Sequence, residues 1–290
     1  MSYIASTDFR DKTMYAFDLH RVQRILYLGT LLLLSLFLVK PSAAAEDGHL
    51  LENFMIRLVS YSVENADTDM TVLSDDNIGT GFSYADDLGG DTRTIVPRLD
   101  MYYRFNDRHR IEFSNFKYER DGRQLLAIDI DIEDQTYSIG ETVVSDITYE
   151  LLKIGYAYSF YHSTEVELSF TAGLNITSYD FNFELADGSQ ADSSRVNAPM
   201  PMFGLRMSYA INPRWSVHYL AETFFIEVGD SLEGAFLAYE LDLQYRFSNN
   251  FTLGFGVSRF SMDLDANDDD WNGKIADSHR GVLLFASYYI

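Results

Sequence analysis

The sequence predicts an all-β protein, an antiparallel transmembrane β-barrel of about ten strands that follows a cleaved signal peptide. Three observations carry this. Apolar and polar residues alternate with period two over stretches of about ten residues, the length of a tilted membrane strand. Rings or apolar residues stand just before short polar turns, as in the aromatic girdle of a barrel. Aromatic residues make up 15% of the chain, yet the mean hydropathy is only −0.13, which suits apolar residues interleaved with polar ones.

Residues 1–45 read as the targeting segment. His20, Arg21 and Arg24 form a basic region, Ile25 to Val39 an apolar stretch, and Ser42-Ala43-Ala44-Ala45 a small-residue cleavage site before Glu46. Fifteen apolar-biased residues are short for a helical span of about 20. Either Met1 or Met14 could be the start. The 290-residue chain has a formal net charge of −22. Residues 1–45 carry five basic and three acidic side chains, so residues 46–290 stand at −24, which disfavours nucleic acid as a partner. There are no cysteines, so disulfides, thiol nucleophiles, cysteine metal sites and a lipid-anchoring cysteine are excluded.

From residue 46 onward the chain reads as one barrel domain, with strands at 54–63, 94–105, 109–119, 146–160, 164–177, 202–211, 214–227, 235–247, 251–264 and 281–290. The clearest alternation places Val166, Leu168, Phe170, Ala172, Leu174 and Ile176 on one face. Four short turns follow Tyr103-Arg104-Phe105, Tyr158-Ser159-Phe160, Tyr209-Ala210-Ile211 and Tyr245-Arg246-Phe247. Longer acidic connections are expected near 64–93, 120–145, 180–199, 228–234 and 265–279. Twelve strands result if 68–84 form an extra hairpin, and eight if strands have been divided too freely. Alternation flips between Leu151 and Leu152 and between Val257 and Phe260, as a bulge or a strand leaving the membrane would cause.

These features resemble the small outer membrane barrels of Gram-negative bacteria, the OmpA- and OmpW-type proteins. The final strand, Gly281 to Ile290, is similar to a barrel-assembly signal, although Ile290 stands where Phe is usual. The resemblance covers residues 46–290 and rests on architecture. It implies a monomer in the cell outer membrane, with outer membrane lipids, lipopolysaccharide and the barrel-assembly machinery as partners.

With the apolar face outward, the inward charges are basic Arg57, Arg98, Arg104, Arg110, Lys153, Arg206 and Arg246, and acidic Asp100, Glu112, Glu165, Glu167, Glu222, Glu240 and Asp242. Seven face seven. Unpaired ions in a narrow lumen are costly, so these charges are expected to pair into a closed polar core. A structural or surface-interaction role follows; a narrow channel for small solutes is the alternative. A soluble barrel of the lipocalin kind would need an apolar interior, opposite to the pattern here.

No cofactor is expected. Asp263, Asp265, Asn267 and Asp269 begin like a calcium loop, but Asp268 replaces the sixth-position glycine and Lys274 the final Glu. At most, weak Ca²⁺ or Mg²⁺ binding is expected. No enzyme is expected either. Outer membrane hydrolases use a His and a Ser two residues apart, or Asp/His pairs at the rim. His109 and His162 fall at the short turns, and His218 is about 13 Å along the strand from Glu222. His279 has Ser278 and Asp277 beside it, but neighbouring strand residues face opposite ways, so no dyad is expected.

Overall fold

The computed structural model describes residues 50, 52–72, 80–132, 135–228, 232–268 and 271–290; the targeting segment 1–45 lies outside the described residues. Among these residues thirteen strands appear in chain order. Ten of them form the wall: β1 (Phe54–Val72), β3 (Thr94–Asn106), β4 (His109–Leu125), β7 (Thr142–His162), β8 (Val166–Leu185), β9 (Ala191–Ala210), β10 (Trp215–Val228), β11 (Leu232–Arg246), β12 (Phe251–Asp268) and β13 (Trp271–Tyr289). Each pairs antiparallel with the next, and β13 returns to β1 to close the barrel. The ends meet at one rim, where Phe54 and Ile290 exchange two backbone hydrogen bonds of 3.0 Å.

Asparagines shape the turns at this lower rim. Asn212 Oδ1 accepts from the amides of Arg214 (2.9 Å) and Trp215 (3.0 Å), and Asn106 Oδ1 from that of Arg108 (3.0 Å). The turn after β7 falls at 163–165, slightly later than the sequence predicts, because a register shift between Ser159 and Tyr161 lengthens that strand.

All ten expected strands are present, but several run much further upward. Most residues expected as acidic loops at 120–145, 180–199 and 265–279 are instead strand. β4 shows why. Its inward face passes from Arg110, Glu112 and Ser114 to Phe116 and Tyr118, while its outward face passes from Ile111 and Phe113 to Asn115, Lys117, Glu119 and Asp121. Pairing with β7 is unbroken from His109–Tyr158 to Leu125–Thr142, so no bulge causes the change. The strand leaves the membrane: below, lipid faces the outer wall; above, water does. β12 repeats the pattern, with outward Phe251, Leu253, Phe255 and Val257 giving way to Arg259, Ser261 and Asp263. β7 has 21 residues. At about 3.3 Å per residue and a tilt near 40° that spans about 50 Å, against an apolar band of about 25 Å.

The upper interior is an aromatic core containing Tyr61, Phe116, Tyr118, Tyr149, Tyr179, Phe181, Phe183 and Phe260. Tyr118 stacks on Tyr149 at 4.8 Å, and Phe82 meets Phe183 edge-on at 6.1 Å. β2 (Phe82–Ser83) pairs with Asp69 and Met70 of β1. The pairing within 68–84 that would have raised the count to twelve is thus limited to two residue pairs and adds no wall strand. Tyr84 follows it inward and donates to the Arg120 carbonyl at 2.7 Å. A small hairpin of β5 (Ile130–Ile132) and β6 (Gln135–Tyr137) contributes buried Ile130 and Tyr137. In β1 a bulge between Glu64 and Asp67 places Asn65 at φ 50°, a left-handed conformation that asparagine adopts more readily than most residues.

Candidate lumen site

The lower lumen is built from inward residues that recur every second position, so charges two apart on one strand reach each other. Arg98 Nε lies 2.8 Å from Asp100, and Arg110 Nε 2.7 Å from Glu112. Links across the barrel complete the set. Arg98 reaches Glu240 at 2.8 Å, and Arg57 lies 3.3 Å from Asp242 and 3.8 Å from Glu240. Arg206 reaches Glu112 at 2.7 Å, and Lys153 reaches Glu222 at 2.6 Å. Glu167 is the most enclosed acceptor, taking Arg104 at 2.9 Å and Arg110 at 3.7 Å, with the Ser159 hydroxyl also donating to it.

Two sequence assignments fall differently. Glu165 sits half-buried in the turn after β7 and makes no ion pair among the described residues. Arg246 pairs with Glu52, which precedes β1 and carries no strand-alternation signal. His218, expected to stand apart from Glu222, exchanges hydrogen bonds with Ser216 (3.0 Å) and Ser208 (2.9 Å). Two cavities of about 100 Å³ each lie along the axis. Arg98, Ser114, Lys153 and Glu240 line both. Each has room for about three waters.

Above this layer sequence reasoning missed a pair. Asp277 and His279 are two apart and share the inward face, whereas only Ser278 between them points out. His279 Nδ1 lies 3.6 Å from Asp277 Oδ2. Asp277 also accepts from Thr68 (2.7 Å) and Tyr179 (3.2 Å). Outward neighbours Ser278 and Arg280 are polar, so the pair lies above the apolar belt. Burial pushes the Asp277 carboxyl up, but His279, Thr68 and Arg120 outweigh it and hold the pKa below the ordinary carboxylate value. The spacing Asp-x-His on a strand was the available signal. Tyr61, Tyr118, Tyr149 and Phe260 surround the His279 ring, and both side chains are buried.

The proposed cation residues do not converge. Asp263, Asp265 and Asn267 lie along the outer face of β12, spaced about 6.6 Å apart on a straight strand. Asp265 is paired with Lys274, and Asp269 lies outside the described residues. No cluster of three or more His, Asp or Glu suited to a metal occurs among the described residues.

No family model matches the chain, and no curated protein matches it in sequence. Solved structures do. The outer membrane protease OmpT from Escherichia coli superposes with a TM-score of 0.58 at 8% identity, covering 83% of this chain and 98% of OmpT. The fold is that of an outer membrane β-barrel. The outer membrane protein OprG from Pseudomonas aeruginosa is also similar, with a TM-score of 0.37 at 13% identity over 84% and 98% of the two chains. So is the attachment invasion locus protein Ail of Yersinia pestis, with 0.33 at 14% over 81% and 99%. The membrane zone of this barrel is marked by its own outward side chains. Leu58, Ile95, Phe203, Phe255 and Leu284 are all more than half exposed, a belt that water would not tolerate and lipid requires.

Proposed function

We propose that this protein is a closed, non-conducting outer membrane barrel whose tall upper half serves as a surface-exposed interaction platform, and that it is not an enzyme. The single observation that carries the reading is the two-tier filling of the lumen. A layer of paired charges occupies the membrane zone, and an aromatic core occupies the zone above it. Ions crossing the barrel would have to break pairs such as Arg104–Glu167 and then enter a space lined by Tyr118, Tyr149 and Phe260. The outer wall above the belt carries Glu119, Asp121, Asp146, Glu150 and Asp180, a surface suited to cations or basic partners. The Asp277–His279 pair fits a structural role, because no substrate reaches it.

The test is conductance of the purified protein in planar bilayers. A closed barrel gives no stable, large openings. Frequent voltage-insensitive openings that pass small solutes would favour the narrow-channel reading and overturn this one.

A further inference from the structure

Arg259 on β12 and Arg280 on β13 are direct cross-strand partners, and both project outward and are exposed. Neither guanidinium has an ion-pair or hydrogen-bond partner among the described residues. The carboxylate nearest in register is Glu64, opposite Arg280 on β1, and it is engaged by Arg93 at 3.2 Å and by the Ser62 hydroxyl at 3.3 Å. Two like charges placed opposite each other on a sheet are destabilising unless an anion lies between them. Their presence is unusual on a chain of net charge −22 whose outer wall above the belt is mainly acidic.

Their height decides what that anion is. One outward residue below them, Val257 and Val282, the apolar belt begins. From that level downward the outer wall of β3, β1, β13, β12 and β11 forms an open apolar concavity of about 1030 Å³, lined by Leu58, Ile95, Leu253, Phe255 and Leu284 among others. A pair of unpaired guanidiniums above an apolar groove at the upper membrane margin is complementary to an amphiphile with a phosphate head and acyl tails. Arginine matches phosphate through parallel, charge-assisted hydrogen bonds.

We propose that Arg259 and Arg280 bind the phosphate of a phosphorylated acyl lipid of the outer leaflet, with its chains in the groove below. The site does not depend on whether the lumen conducts.

The test uses the chain folded in a phosphate-free amine-oxide detergent. Lipid A, dephosphorylated lipid A and inorganic phosphate are titrated separately, with binding read by native mass spectrometry and by unfolding temperature. Phosphorylated lipid A should bind and raise the unfolding temperature. R259Q and R280Q should each weaken that binding about tenfold, and R280K should restore much of it. In detergent alone the two Gln variants should unfold no lower than the wild type, because a like-charge repulsion has been removed, which separates lost binding from lost folding. Equal binding by wild type and both Gln variants would overturn the proposal. So would equally tight binding of dephosphorylated lipid A, or an inorganic phosphate effect as large as that of the lipid. A detergent-stable dimer that buries the groove and blocks lipid binding would overturn it as well.

Discussion

Asp277 and His279 meet inside the barrel with 3.6 Å between Oδ2 and Nδ1, in a shell of tyrosine rings that admits almost no solvent. The folded protein holds the Asp277 carboxylate more strongly than the unfolded chain does. The stability it contributes is therefore complete above the ordinary carboxylate pKa, near 4, and is lost as pH falls through the lower folded value. D277N should cost about 2–3 kcal/mol at neutral pH and flatten the acid limb of the stability profile. Denaturant midpoints measured from pH 7 to pH 3 check both; an unchanged acid limb would show that Asp277 contributes nothing to it.

The upper rim of β1 shows the opposite sign. Burial first, then Asp86, raises the pKa of Asp67; burial first, then Asp67, raises that of Asp69. An acid raised in the folded state penalises folding as pH climbs past its unfolded value. D69N should therefore stabilise the protein at pH 7 and do little below pH 4. Both carboxylates keep partial access to water, so the gain should stay below about 1 kcal/mol. Weak Mg²⁺ binding to the same rim should mimic the substitution at low ionic strength, and melting with and without EDTA measures it.

Strand positions were legible in the sequence because the membrane imposes a strict outward apolar face on residues such as Leu253 and Phe255. The upper strands were not, since their apolar and polar faces exchange. Phe116 and Tyr118 point in while Lys117 and Glu119 point out, so acidic residues there look like loop. The inward charges were readable from the same alternation, but their partners were not. Arg98–Glu240 joins residues 142 positions apart, and barrel closure, not local sequence, brings them together. Asp277 and His279 were readable in principle, as two residues on one face, but adjacency to Ser278 drew attention to the wrong neighbour.

Arg104 is almost wholly buried, and its guanidinium also donates to the carbonyls of Asp107 (3.1 Å) and Leu50 (3.3 Å). R104A leaves Glu167 with only Arg110 and Ser159 and should cost about 3–5 kcal/mol. Unfolding from lipid vesicles by guanidinium measures the loss. R108A, an exposed change four residues along, should cost under about 0.5 kcal/mol. Equal losses in the two variants would mean that the lumen pair is not a stabilising unit.

The last prediction separates the two tiers of the lumen. Tyr84 is fully buried near the upper mouth. Its hydroxyl donates to the Arg120 carbonyl at 2.7 Å, and the Arg120 guanidinium lies 4.9 Å over its ring. Y84A should cost about 3 kcal/mol through the cavity it leaves and should loosen the upper tier. It should not produce conductance, because Arg98, Glu240, Lys153 and Glu222 remain paired below. Removing Arg98 and Glu240 together, as R98A/E240A, takes away that pair and leaves Asp100 with the Ser114 hydroxyl at 2.6 Å, and the aromatic tier above should still block flow. Only the triple combination should open the barrel, and then to small ions alone, since the wall has ten strands and wide water-filled porins have about 16–18. Planar-bilayer recordings on the three proteins decide it. Openings in Y84A alone would mean that the charged layer is wet and permeable, leaving the aromatic tier as the sole barrier.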